Sequence, residues 1–165
     1  MAVNRKLSVL LVLVFGMAVI GNIWAQTDNR LNGRWVGSID GMEMEYIFNN
    51  GNYEQYINNR IEASRGTYTT RDGRLTLTST HVGGGVMTLA GIPGYESRWY
   101  TNDEFITVTR RVLLGLGYPE VLVDMVVNEM LADINLTQNY SLEGNSLTLS
   151  YTEDGESMVI NLTRR

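Results

Sequence analysis

The sequence predicts an all-β fold: an antiparallel meander β-barrel of 8–9 strands with one inserted α-helix at about residues 118–133. Three observations predict it. From Arg34 onward, apolar and polar residues alternate with period two, the signature of half-buried strands. Asn-Gly and Asp-Gly pairs punctuate that alternation at hairpin spacing. The pattern runs on to Leu162-Thr163-Arg164-Arg165, and so many short strands in an open sheet would leave costly unpaired edges, which closure removes.

The elements follow in order. Met42, Met44, Tyr46 and Phe48 point one way from their strand, and Glu43 and Glu45 the other. Asn49 to Asn52 holds an Asn-Gly turn, after which Tyr53–Asn58 and Gly66–Thr70 read as strands. Asp72-Gly73 turns the chain into a strand of alternating Leu75, Thr76, Leu77 and Thr78. Val82 to Gly94 carries Gly83, Gly84, Gly85, Gly91 and Gly94 among apolar residues, so it reads as a mobile loop or irregular strand pair. Trp99-Tyr100 and Phe105–Thr109 resume strand character. The period then changes. Pro119 suits a first helical turn, and Leu122, Met125, Val126 and Met130 fall at helical spacing with Glu120, Asp124, Asn128 and Glu129 around the other side. Leu136, Tyr140 and Leu142, then Leu147, Leu149 and Tyr151, then Met158, Ile160 and Leu162 complete three more alternating strands. One apolar and one wet face is the pattern of an antiparallel sheet.

Residues 1–25 read as an export signal, leaving residues 26–165 as one domain. Arg5 and Lys6 precede an apolar run from Leu7 to Ile20, and Ala25 places a small residue before a cut at Gln26. The apolar run is shorter than the roughly 20 residues of a spanning helix, so no stable membrane insertion is expected after cleavage. Removing Arg5 and Lys6 takes the basic count from 13 to 11 against 18 acidic residues, 11 − 18 = −7. An acidic domain without basic clusters repels polyanions, which argues against nucleic acid as a partner. Zero cysteines exclude disulfides, thiolate metal sites and a lipidated N-terminus. The absence of disulfides favours a bacterial periplasm or cell exterior over a small secreted eukaryotic domain. Asn135, Asn139 and Asn161 begin Asn-x-Ser/Thr patterns, which an Asn- and Thr-rich strand protein produces by chance.

With Gly33-Arg34-Trp35 near the start of this domain, the strand meander, and a basic residue ending the last strand, the chain resembles the lipocalin-like (calycin) group of small barrels, bacterial members above all. The resemblance spans about residues 30–165. It implies that Gly33 and Trp35 close one end of the barrel, with the guanidinium of Arg164 or Arg165 packed across the indole, a contact worth about 0.5–2 kcal/mol. Two departures stand out: the secreted animal members carry disulfides, and they place their helix after the barrel rather than within it.

Chemistry-bearing residues are sparse. His81 is the only histidine; it stands beside Gly83-Gly84-Gly85, but no Gly-x-Ser-x-Gly elbow accompanies it. The carboxylate pairs Glu43/Glu45, Asp103/Glu104 and Glu153/Asp154/Glu156 fall on strand faces or turns where solvated charge is the ordinary reading, and Glu43 and Glu45 are expected to meet solvent. No calcium-loop spacing is present. The expectation is therefore a protein without catalytic residues, metal or cofactor. The apolar face is the better candidate. Met44, Tyr46, Phe48, Tyr68 and Tyr140 are assigned inward by alternation, and tyrosine hydroxyls in an apolar interior want partners. With the loop around Met87 and Trp99 as a gate, they form an expected pocket for a small hydrophobic or amphipathic ligand. The competing expectation is an envelope-associated protein-interaction module with a packed interior, since an eight-stranded barrel is only just wide enough for side chains to fill it.

Overall fold

The computed structural model describes residues 26–132, 134–153 and 156–165; the expected export signal and Asp154 lie outside the described residues. Among the described residues nine strands form: β1 (Gly33–Ile39), β2 (Met42–Asn49), β3 (Asn52–Ile57), β4 (Ile61–Arg71), β5 (Arg74–Gly83), β6 (Trp99–Thr101), β7 (Asn135–Glu143), β8 (Ser146–Glu153) and β9 (Glu156–Arg164). Their order is β4-β3-β2-β1-β9-β8-β7-β5-β6, and β4 also pairs with β5. Eight strands thus close into an antiparallel barrel, and the short β6 lies along the end of β5. The turn residues set the hairpins. Asn50-Gly51 and Asp72-Gly73 both hold positive φ at both positions (47° and 84°, 49° and 74°), the two-residue turn whose twist matches the strands.

Closure follows from the alternation. Trp35 faces Tyr46 on one side and Arg164 on the other, joining the first strand to the last. Inward positions build a first core of Trp35, Met44, Tyr46, Phe48, Tyr53, Tyr68, Leu75, Leu77, Leu147, Leu149, Ile160 and Leu162. Leu31, from a single 3-10 turn at Asn29–Leu31, seals one end. Gln26 is tied to the barrel as well, since the Thr70 amide donates to its carbonyl at 2.7 Å.

Between β5 and β7 the chain makes three helices rather than one: α1 (Gly84–Leu89), α2 (Asn102–Gly115) and α3 (Glu120–Ala132). The helix expected at 118–133 is α3. Residues 105–109, expected as a strand, lie within α2. A capping box starts that helix: the Glu104 amide donates to Thr101 Oγ1 at 3.2 Å, and the Thr101 amide donates to Glu104 Oε2 at 2.9 Å. Phe105 and Thr109, four apart, then bury one face, so capping and tertiary packing outweigh the β-branched run Ile106–Thr109. The expected mobile loop at 82–94 instead contains α1, and Gly83, Gly84 and Gly85 are buried, whereas Gly91 and Gly94 are exposed. A Cβ on Gly83 would strike the Glu62 carbonyl, and one on Gly84 the Glu96 carbonyl. The triple glycine therefore serves close backbone approach. These helices cap the barrel end away from Leu31 through a second core: Ile57, Ala63 and Val82 from the strands, with Val86, Met87, Tyr100, Phe105 and Met130.

Candidate functional site

The barrel interior brings Met44, Tyr46, Phe48 and Tyr68 together, each 0–1% exposed. Tyr46 stacks on Phe48 at 5.9 Å between ring centroids, and Phe48 meets Tyr68 edge-on at 5.0 Å. Tyr140 packs against the same core, partly buried, and its hydroxyl donates to Asp28 Oδ2 at 3.1 Å. Met87 and Trp99 do not join this group. Met87 is buried in the second core. Trp99 lies on the outer sheet face, edge-on to Tyr56 at 6.2 Å and under the Arg65 guanidinium at 4.9 Å. The reason is alternation: Tyr100, its neighbour on β6, takes the inward position. The seven residues therefore do not line one gated pocket.

What fills the barrel is side chain. Above the aromatic layer lies a polar belt that satisfies itself: Gln55 Nε2 donates to the Tyr46 hydroxyl at 3.0 Å, and the Ser64 hydroxyl reaches Gln55 Oε1 at 2.9 Å and the Tyr53 hydroxyl at 3.3 Å. Burial raises the pKa of both the Tyr46 and Tyr53 hydroxyls above the ordinary phenol value. One interior group stands apart. Gln138, opposite Leu75 and 2% exposed, has neither amide atom hydrogen-bonded among the described residues. Burying an amide unpaired costs about 1–3 kcal/mol. A cavity of about 10 Å³, room for one water, lies elsewhere, between Val82, Asn102, Phe105, Ile106, Met130 and Ile134.

At the closed end, the guanidinium carbon of Arg164 stands 4.5 Å over the Trp35 ring, and its Nη2 donates to the Arg30 carbonyl. The indole Nε1 donates to the Leu31 carbonyl at 2.6 Å. Gly33 opens the strand at φ 131°, a conformation that favours glycine. Arg165 is exposed and pairs through its backbone, its amide donating to the Arg34 carbonyl at 2.9 Å. Arg164 is the arginine that stacks.

His81 sits on β5 between Arg65 and Thr101, with Nδ1 2.9 Å from Thr80 Oγ1. Partial burial, then the Arg65 charge, lowers its pKa below the usual imidazole value. Asp103 and Glu104 occupy the first turn of α2, where carboxylates stabilise a helix. Glu45 departs from expectation. It is 6% exposed rather than solvated, because Arg34 Nη2 and Arg60 Nη1 close over it at 2.7 and 3.4 Å, and Arg60 in turn covers the Tyr56 ring. Among the described residues, no three His, Asp or Glu side chains converge as a metal site would require.

The surface feature that sequence reasoning missed is the α2–α3 hairpin. On α3 the buried face is Val123, Val127 and Met130, whereas Leu122 (47%) and Met125 (62%), expected inward, are exposed. With Leu114, Leu116, Tyr118 and Val121 they make six large apolar side chains at the hairpin's end, each 47–71% exposed. The turn itself is tightly bonded. The Gly117 amide donates to the Leu114 carbonyl and the Tyr118 amide to the Leu113 carbonyl, with Gly117 at φ 84°, the paired pattern of a glycine-terminated helix. Arg110 and Asp124 pair across the hairpin behind the tip. The signal was in the sequence: α3 carries apolar residues on both sides, more than one buried stripe uses.

No family model matches the chain, and no curated protein matches it. Among solved structures it is similar to the crystal structure of an uncharacterized protein from Bacteroides eggerthii, at 15% identity, covering 79% of this chain and 98% of that one, with a TM-score of 0.38. A likeness of that size transfers nothing about function.

Proposed function

We propose that this protein is an exported, non-catalytic interaction module: a packed lipocalin-like barrel that presents the apolar end of the α2–α3 hairpin to a binding surface in the bacterial envelope or outside the cell. The observation that carries this reading is the contrast between a filled interior and six half-exposed apolar side chains gathered on one tip. Exposed apolar patches of that kind mark interaction sites. The export half of the reading rests on the charge and apolar pattern of residues 1–25. The non-catalytic half is supported by the surroundings of His81, whose ring nitrogen meets a threonine hydroxyl, and by carboxylates engaged in caps and ion pairs. The test is a photo-crosslinking residue placed at Leu116 in the producing host, with one at Thr148 on the opposite part of the barrel as control. Adducts at Leu116 alone are expected. Absence of any protein or lipid adduct at Leu116 would sink the reading.

A second reading, a small amphipathic ligand held in the barrel through a polar atom, is favoured by the unpaired amide of Gln138. Native mass spectrometry of protein purified from its own host tests it. A bound small molecule that is lost in Gln138→Leu supports it. A clean apo mass, together with a Gln138→Leu variant more stable than the parent, leaves the amide as a structural cost and removes the ligand.

A further inference from the structure

Resting on the docking reading above, we infer that the surface the hairpin meets is a lipid bilayer, and that the tip enters its interfacial layer without crossing. Four features of the tip point there. From Val112 to Pro119 the chain carries no charge, and its first flanking charges are Arg111 and Glu120. Turns between helices are ordinarily polar, and this one instead exposes Leu114, Leu116 and Tyr118. Tyr118, 47% exposed in the turn itself, is a residue type that settles at headgroup level.

The backbone fits the same environment. Hydrocarbon leaves no partner for an open N–H. The amides of Leu116, Gly117 and Tyr118 all donate within the turn, to Val112, Leu114 and Leu113, and Pro119 has no N–H. A charged belt flanks the apex segment Val112–Pro119, formed by Arg111, Glu120 and the Arg110–Asp124 pair, and Val121, Leu122 and Met125 lie level with it. That belt sets a depth beyond which the hairpin does not sink. Among the described residues no helix is long and apolar enough to cross a membrane, so the contact is interfacial.

A second copy of this chain is the competing occupant, which the oligomeric state in solution distinguishes. Charge then selects the lipid. Residues 26–165 carry 11 basic and 18 acidic residues, so an anionic surface repels the domain and a zwitterionic one does not.

The strand pairings and both cores of the described residues fall within residues 26–165, and the protein to test is the mature form that the export reading expects the host to release. Flotation with phosphatidylcholine vesicles is expected to carry it upward, with no gain when a third of the lipid is phosphatidylglycerol. Leu116→Asp combined with Leu122→Asp changes two exposed positions, and is expected to cut bound protein roughly tenfold or more while leaving thermal unfolding unchanged. Leu116→Ser with Leu122→Ser gives the same answer without added charge. Failure of the parent to float, or equal flotation of the variants, overturns the inference. So does a dimer in sedimentation velocity that the variants dissolve. A protein adduct at Leu116 without flotation overturns the lipid partner and leaves the docking reading standing; no adduct of either kind ends both.

Discussion

The barrel core and the helical hairpin use apolar residues in opposite ways. In the barrel, the inward residues from Trp35 to Leu162 build one core whose thirteen buried members, Leu31 included, are 4% exposed or less. In the hairpin, Val123, Val127 and Met130 are buried, Met130 within the second core, while Leu122 and Met125 on the same helix remain in the open. The difference is geometric. A closed sheet has one inside, so period-two alternation suffices to bury its whole apolar set. A helix laid over a barrel end buries one stripe, and any second stripe needs something outside the chain. Apolar surface that folding does not consume is the more informative surface.

The sharpest way to break this comparison is to cut into each region. Trp35→Ala removes the largest fully buried side chain and its stacking with Arg164, and is expected to destabilise by about 3–5 kcal/mol in urea unfolding. Val121→Asp, at 71% exposure on the hairpin, is expected to stay within about 0.5 kcal/mol of the parent. If Val121→Asp costs as much as a core change, the hairpin is packed and the contrast is gone. A smaller effect separates the two C-terminal arginines. Arg164→Ala is expected to cost about 0.5–2 kcal/mol through the lost indole contact, with Arg165→Ala unchanged in the same denaturation series. Equal losses would mean that the end of β9, and not the guanidinium, closes the barrel.

The barrel was legible because its code is local. Asn50-Gly51 and Asp72-Gly73 fix two turns, and alternation then dictates that Met44, Tyr46, Phe48, Tyr68 and Tyr140 share an interior. The segment between β5 and β7 was less legible because its structure is decided by tertiary packing. Ile106 to Thr109 has strand propensity, but Phe105 and Thr109 are held on one helical face by the second core. The glycines at 83–85 looked like freedom and are instead tight packing against Glu62, Ile61 and Glu96. The faces of α3 were ambiguous because nine of its thirteen positions are apolar, and tertiary packing, such as that of Met130 with Phe105, Val82 and Ile57, decides which of them are buried. Glu45 was misread for a related reason: period two puts it outside, but Arg34 from β1 and Arg60 from the β3–β4 turn fold over it, and neither neighbour is visible in its own strand.

The smallest expected effect lies at the sealed end. The Asp28 carboxylate accepts from Arg30 Nε at 2.9 Å, from the Arg30 amide at 3.0 Å and from the Tyr140 hydroxyl at 3.1 Å, where it ties the 3-10 turn to β7. The Arg30 side chain chiefly holds its pKa below the usual carboxylate value, against the opposing effect of partial burial, and the Arg30 amide and Tyr140 add to the lowering. A carboxylate with a depressed folded pKa adds stability that is whole above its unfolded pKa, near 3.9, and is lost as pH falls through the lower folded value. Because Arg30 is 71% exposed, solvent screens the pair and the contribution is small. Asp28→Asn preserves the cap oxygen without the charge. Its deficit relative to the parent, measured by urea unfolding across pH, is expected to be constant from pH 7 down to about 5 and to shrink toward zero near pH 2. A deficit that persists at pH 2 would assign the role of Asp28 to cap geometry alone, and the sealed end would then be held by neutral contacts, like the rest of the barrel.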